Sequence, residues 1–180
     1  MYGNLYLMKI VRRISSSCFY ISRILATLYV SVGIYALLAI AFYESSIYRD
    51  LMAINNPRFE IFYPGTKEVF LLGDYTLEFL FPVFGIIFLY SCFFWFLSGV
   101  FNAFRRTPLF TQNAVNWLNN FWVFNVGCSS VIIILTAFVA VESTAIMFAA
   151  LHFLLGIFTF FMATIFKEGL TLQVQQEYTI

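Results

Sequence analysis

Long uncharged apolar runs, separated by short charged clusters, set the pattern of this chain. No charged residue occurs between Arg23 and Glu44, between Glu78 and Arg105, from Thr107 to Val141, or from Ser143 to Phe166. A helix crossing about 30 Å of hydrocarbon, at about 1.5 Å per residue, needs about 20 residues. Each run meets that length, so the pattern predicts membrane-spanning helices over residues 24–43, 79–103, 118–141 and 144–166. The third run exceeds one span and begins with Thr107, Thr111, Gln112, Asn113, Asn116, Asn119 and Asn120. Residues 111–117 are therefore predicted as a polar helical lead-in to the third span, with Thr111 as N-cap shortly after Pro108.

Shorter patterns fill the gaps. Ile10, Ile14, Cys18 and Ile21 recur at helical spacing, with Lys9, Arg12 and Arg13 on the other side. This predicts an interfacial amphipathic helix over residues 5–22, with a disordered basic tail as the alternative. The first apolar run is long and ends in Phe42-Tyr43-Glu44 rather than a small-residue cleavage site, which reads as an uncleaved anchor. In the 44–78 loop, Ile47–Ile54 reads as a short helix and Phe59, Ile61 and Tyr63 alternate as a strand. Pro64-Gly65 is a turn, Glu68–Leu72 a strand, Gly73-Asp74 a second turn, and Tyr75–Leu77 follows it. The loop is thus predicted to be a small antiparallel sheet. The tight connection at Glu142-Ser143-Thr144, with Ser143 able to cap the fourth helix, makes the last two helices antiparallel neighbours.

Composition supports this picture. The 180 residues are 62% hydrophobic and 11% charged, with a mean hydropathy of +0.86. A soluble domain is about 45–50% apolar and about 25% charged, so lipid must cover part of this surface. A net charge of +1 argues against nucleic-acid binding by a basic surface. Cys18, Cys92 and Cys128 lie in or beside apolar runs and read as small buried hydrophobes, not as a disulfide framework.

The basic residues set a direction. Lys9, Arg12, Arg13 and Arg23, then Arg105 and Arg106, then Lys167 fall on one side of the spans; Arg49, Arg58 and Lys67 fall on the other. The positive-inside rule places both termini in the cytoplasm, the 44–78 loop outside and the 167–180 tail inside. The expected fold is an all-α integral membrane four-helix bundle, forming one domain, with a β-containing extracytoplasmic loop and an N-terminal amphipathic helix.

Residues able to carry chemistry are sparse. His152 is the sole histidine, and Glu142 is ten positions away, about 15 Å along one helix. His152 has two readings: a cross-helix hydrogen bond, or a functional group in a polar path. Glu142 reads as a solvated turn residue, or in an oligomer as part of a pore ring. Asn113, Asn116 and Asn120 share a helix face just after Arg105 and Arg106, a polar set suited to docking at headgroups or binding a partner. No C-x-x-C, H-E-x-x-H, Walker or Rossmann motif occurs. The sequence therefore points to no enzyme, no cofactor and no metal site.

Two stretches resemble a known family. Pro108-Leu109-Phe110-Thr111-Gln112-Asn113 with Leu118 is similar to a P-F-T-x-x-N-x-x-x-L signature, with Leu109 inserted. Ile165-Phe166-Lys167-Glu168-Gly169-Leu170-Thr171-Leu172-Gln173, followed by Glu177-Tyr178-Thr179-Ile180, is similar to an I-F-x-x-G-x-x-L-Q-x-E-x-x-L-T-I ending, with stretched Glu spacing and Tyr178 in place of Leu. Both resemble the bacterial four-span membrane family known as domain of unknown function twenty-nine seventy-five, whose members are often encoded beside a small helix-turn-helix regulator. The resemblance implies a bacterial inner-membrane location and a sensor or regulatory role, and it transfers no catalytic residue. The resulting expectation is a non-enzymatic membrane protein, embedded in the lipid bilayer, that acts through a protein partner. The alternative is an oligomeric channel or pore, as an accessory of a bacterial defence system, lined by Asn125, Ser129, Ser130 or His152.

Overall fold

The structure is a computed structural model, and it describes residues 2–45, 49–138 and 143–177. Its elements are helix α1 (Tyr2–Glu44), a 3-10 turn (Arg49–Leu51), strands β1 (Met52–Asn55), β2 (Arg58–Phe62) and β3 (Val69–Asp74), and helices α2 (Leu77–Arg105), α3 (Gln112–Phe138) and α4 (Ser143–Glu177). Four helical stretches are long and apolar enough to cross a membrane: Met8–Glu44, Leu77–Arg105, Gln112–Ile134 and Thr144–Gln176. They fit a multi-pass membrane protein.

The helices differ from expectation mainly at their ends. Residues 5–22 and 24–43 are one helix, because no proline or glycine interrupts the chain around Arg23. At 43 residues, α1 is about 65 Å long, roughly twice the hydrocarbon thickness. The fourth helix likewise runs through most of the expected 167–180 tail to Glu177. The expected turn at Glu142 lies outside the described residues, as does the last part of the predicted third span, 139–141. Thr111 caps α3 as predicted: its Oγ1 accepts from the backbone N–H of Ala114 at 3.2 Å.

The chain forms two compact units, Ile24–Cys92 and Met1–Arg23 with Phe93–Ile180. In the first, the three strands form an antiparallel sheet in the order β1-β2-β3. Met52 pairs with Ile61 and Ile54 with Phe59 across β1 and β2. These cross-strand apolar pairs explain why residues 52–55 form a strand where a helix is expected over Ile47–Ile54, of which residues 47–48 lie outside the described residues. Met52, Phe59 and Ile61 are fully buried with Ala36 and Ala39 of α1. Those two alanines let the sheet sit close to the helix, and the Tyr35 hydroxyl donates to the carbonyl of Phe62.

The expected Gly73-Asp74 turn is also corrected. Both residues belong to β3, where Gly73 pairs with Phe59 and Asp74 with Arg58. The glycine is needed for space: a Cβ there would lie 2.1 Å from the Phe79 ring. Consequently Tyr75 and Thr76 form the lead into α2, which begins at Leu77.

In the second unit, α3 and α4 pack together along their length. Val100 and Ala103 of α2, Ala114, Val115, Leu118 and Phe121 of α3, and Ala163 and Phe166 of α4 form its apolar core. Elsewhere the pattern is inverted relative to a water-soluble protein. Asn125, Ser129, His152 and Thr159 are buried, whereas Val131, Ile133, Leu151, Leu154, Phe158 and Phe161 are exposed. Apolar outside and polar inside is the arrangement that lipid favours. It also explains the cysteines, which are not core residues: Cys92 is exposed, and Cys18 and Cys128 are half-buried.

Tyr75, just before α2, donates a hydrogen bond to the Glu44 carboxylate. That bond, then burial, then the nearby charge push its phenol up from 10.0 to about 12. A value raised on folding stabilises the fold below pH 10 and withdraws that contribution as pH rises through about 12. Tyrosinate absorbance should therefore show a late step near pH 12 that is absent from Tyr75→Phe and shifted toward 10 in Glu44→Gln. Superimposable titrations for all three proteins would contradict the bond.

Candidate functional site: a polar seam and an arginine pocket

Two polar constellations stand out, both within the unit formed by Met1–Arg23 and Phe93–Ile180. The first lies between α3 and α4. Buried positions on α4 fall at Ala149, His152, Gly156, Thr159, Ala163 and Phe166. This alternation of three and four residues makes one continuous stripe against the neighbouring helix. The two helices approach closely at Gly156: a Cβ there would lie 2.7 Å from the Val126 side chain and 3.3 Å from its backbone nitrogen. One turn away, that proximity brings His152 to Asn125.

His152 Nδ1 lies 2.7 Å from Asn125 Oδ1. The Asn125 amide nitrogen donates to the Phe121 carbonyl at 2.8 Å, so its oxygen is the acceptor that faces the imidazole. Nδ1 then carries the proton and donates. The Phe93 ring stands edge-on to the imidazole with centroids 5.5 Å apart. Asn125 is 0% and His152 6% exposed, so both side chains are buried. Ser129, one turn beyond Asn125, is also buried, and its hydroxyl has no partner among the described residues.

The second constellation is cationic. Arg12, Arg13 and Ser16 of α1 and Arg105 and Arg106 at the end of α2 line an open pocket of about 390 Å³. Asn102 Oδ1 accepts from Nε of both Arg105 (2.8 Å) and Arg106 (3.3 Å). The Arg105 guanidinium also sits 3.9 Å above the Phe19 ring, a cation–π contact that fixes its plane. The Arg23 guanidinium sits 3.6 Å over the Trp95 ring and 5.8 Å from the Phe19 ring.

The expected site residues are thus partly regrouped. Arg105 and Arg106 join Arg12 and Arg13, while Asn113, Asn116 and Asn120 are exposed and do not line the pocket. Asn116 accepts from the Gln112 side chain at 3.0 Å. Glu142 lies outside the described residues. Among the described residues, no three His, Cys, Asp or Glu side chains gather as a metal ion would require. Sequence reasoning missed Asn102 and the pairing of His152 with Asn125. The latter had a signal, since both are polar residues inside apolar runs.

The two stretches that carry the family resemblance meet in space. Phe110 packs on Phe166 with ring centroids 5.3 Å apart. It also occupies the space that a side chain at Gly169 would need, 2.7 Å from its Cβ position. No protein-family model matches the chain, and neither a curated protein nor a solved structure matches it.

Hydrogen bonds between membrane helices couple by about 0.6 kcal/mol on average and up to about 1.7. A double-mutant cycle of Asn125→Leu and His152→Phe, read by reversible unfolding in mixed micelles, should return a coupling in that range. Strict additivity would remove the bond from the account. Gly156→Leu should destabilise by about 1–3 kcal/mol through overpacking, whereas Leu154→Ala on the exposed face should be nearly silent.

Proposed function

We propose that this chain is a non-enzymatic, multi-pass membrane protein that acts by binding a protein partner at its basic, cytoplasmic end. Basic residues bias loops toward the cytoplasm, which puts both termini inside and the β-sheet loop outside. The four-span resemblance adds a bacterial inner membrane and a sensing or regulatory role. The observation that carries the reading is the Asn125–His152 bond at 2.7 Å. It uses the histidine of the chain for helix pairing, so the intramembrane polar groups support architecture rather than a reaction. The polar groups left for recognition lie at one end of α3, where Asn113, Asn116 and Asn120 are exposed.

The pore reading needs Asn125, Ser129 and His152 to line a lumen. All three are buried against neighbouring helices, and Ser130 is the exposed member of that set. Opening such a path requires breaking the α3–α4 contact, which favours the binding role.

A photo-crosslinking residue placed at Asn113, Asn116 or Asn120 in native membranes should give a discrete adduct with another protein, absent when the probe sits at Ile133. A ladder of self-adducts with conductance in planar bilayers would support the pore instead. No adduct at any of the three positions would sink the partner reading.

A further inference from the structure

The asparagines proposed to meet a protein partner do not line the arginine pocket. Four guanidiniums converge from two helices, and no carboxylate lines the pocket. Acidic residues are few here: there is none before Glu44 and none between Glu78 and Glu142, and Glu168 of α4 does not line the pocket. Like charges held together without a counter-charge repel one another, so an anion from outside completes the site.

The arrangement is also prepared for one kind of anion. Asn102 holds Arg105 and Arg106 through their Nε atoms, which leaves the paired outer N–H groups of each guanidinium for a ligand. That edge matches two oxygens of a phosphate, a geometry lysine does not offer. Phe19 supports the Arg105 plane at 3.9 Å. Ser16 adds a hydroxyl to the wall, and a volume of about 390 Å³ lies within the ~300–1,000 Å³ of small-molecule sites.

Position distinguishes a lipid from a soluble phosphate. Arg105 is the last residue of the apolar stretch Leu77–Arg105, which puts the pocket at headgroup depth. On α1, Val11, Ile14, Tyr20 and Ile21 are exposed along the turns that flank it, an apolar surface for acyl chains. We infer that this pocket binds the phosphate of an anionic phospholipid through Arg12, Arg13, Arg105 and Arg106. The inference stands whether or not a protein docks on the asparagine face of α3.

The test uses the full chain in neutral detergent, titrated with phosphatidylglycerol or with phosphatidylcholine and read by native mass spectrometry. The anionic lipid should be retained in preference to the zwitterionic one. Each Arg→Gln substitution among the four should weaken it by about fivefold. Replacing all four by lysine keeps the charge, so this variant should fall between the wild type and the variant with all four as glutamine. Asn102→Ala should weaken binding with the charge unchanged, and thermal melts confirm that each variant is folded. Equal retention of the two lipids, or wild-type affinity in the all-lysine variant, would overturn the site as a built pocket. Displacement of the lipid by inorganic pyrophosphate at matched concentration would overturn the lipid assignment in favour of a soluble phosphate.

Discussion

In hydrocarbon a polar group has no water to fall back on, so polar groups there find partners inside the protein, the buried Ser129 hydroxyl being an exception among the described residues. The four helices that are long and apolar enough to cross a membrane fit that constraint. Backbone groups are satisfied by making the spans continuous helices. Among side chains, Ser98, Thr159 and Thr164 return their hydroxyls to carbonyls three or four residues back on their own helix. Asn125 satisfies its amide nitrogen in the same way and has its oxygen left over. It spends that oxygen on His152, and in doing so ties α3 to α4. The tie is available because Gly156 lets the two backbones approach, with the small residues Ala149, Thr159 and Ala163 on the same buried stripe.

The charged groups obey the same constraint from the other direction. They collect where the spans end, and there they are arranged rather than merely tolerated. Asn102 orients two arginines, Phe19 supports one of them, and α1 brings two more from a distant part of the sequence. At the sheet, Tyr75 and Glu44 link the start of α2 to the end of α1 in the unit Ile24–Cys92. Aromatic side chains serve both regions: Phe93 stands against the buried histidine, and Phe110 joins the α2–α3 loop to α4 through Phe166.

Much of this was legible along the chain. Charge-free runs located the helices, and Thr111 marked the start of α3, because desolvation of charges and unpaired N–H groups acts locally. The alternation of Phe59 and Ile61 located β2 for the same reason. Ends were harder. Nothing local stops α1 at Arg23, and Gly169 does not end α4, because its missing side chain serves the packing of Phe110. The strand at 52–55 depends on partners at Phe59 and Ile61, and Gly73 on a ring six residues later, so both looked like something else in isolation. The arginine pocket was the least legible, since Arg12 and Arg105 are ninety-three positions apart and only folding unites them.

The central claim is that the buried His152–Asn125 contact is a dry structural bond. Nitrogen-15 spectra of histidine-labelled protein in lipid nanodiscs test it most directly. The account predicts a single neutral tautomer protonated at Nδ1, a proton that exchanges slowly with water, and a changed signal in Asn125→Leu. Rapid exchange with bulk water, or a spectrum indifferent to Asn125, would contradict it and reopen the seam as a water-filled path.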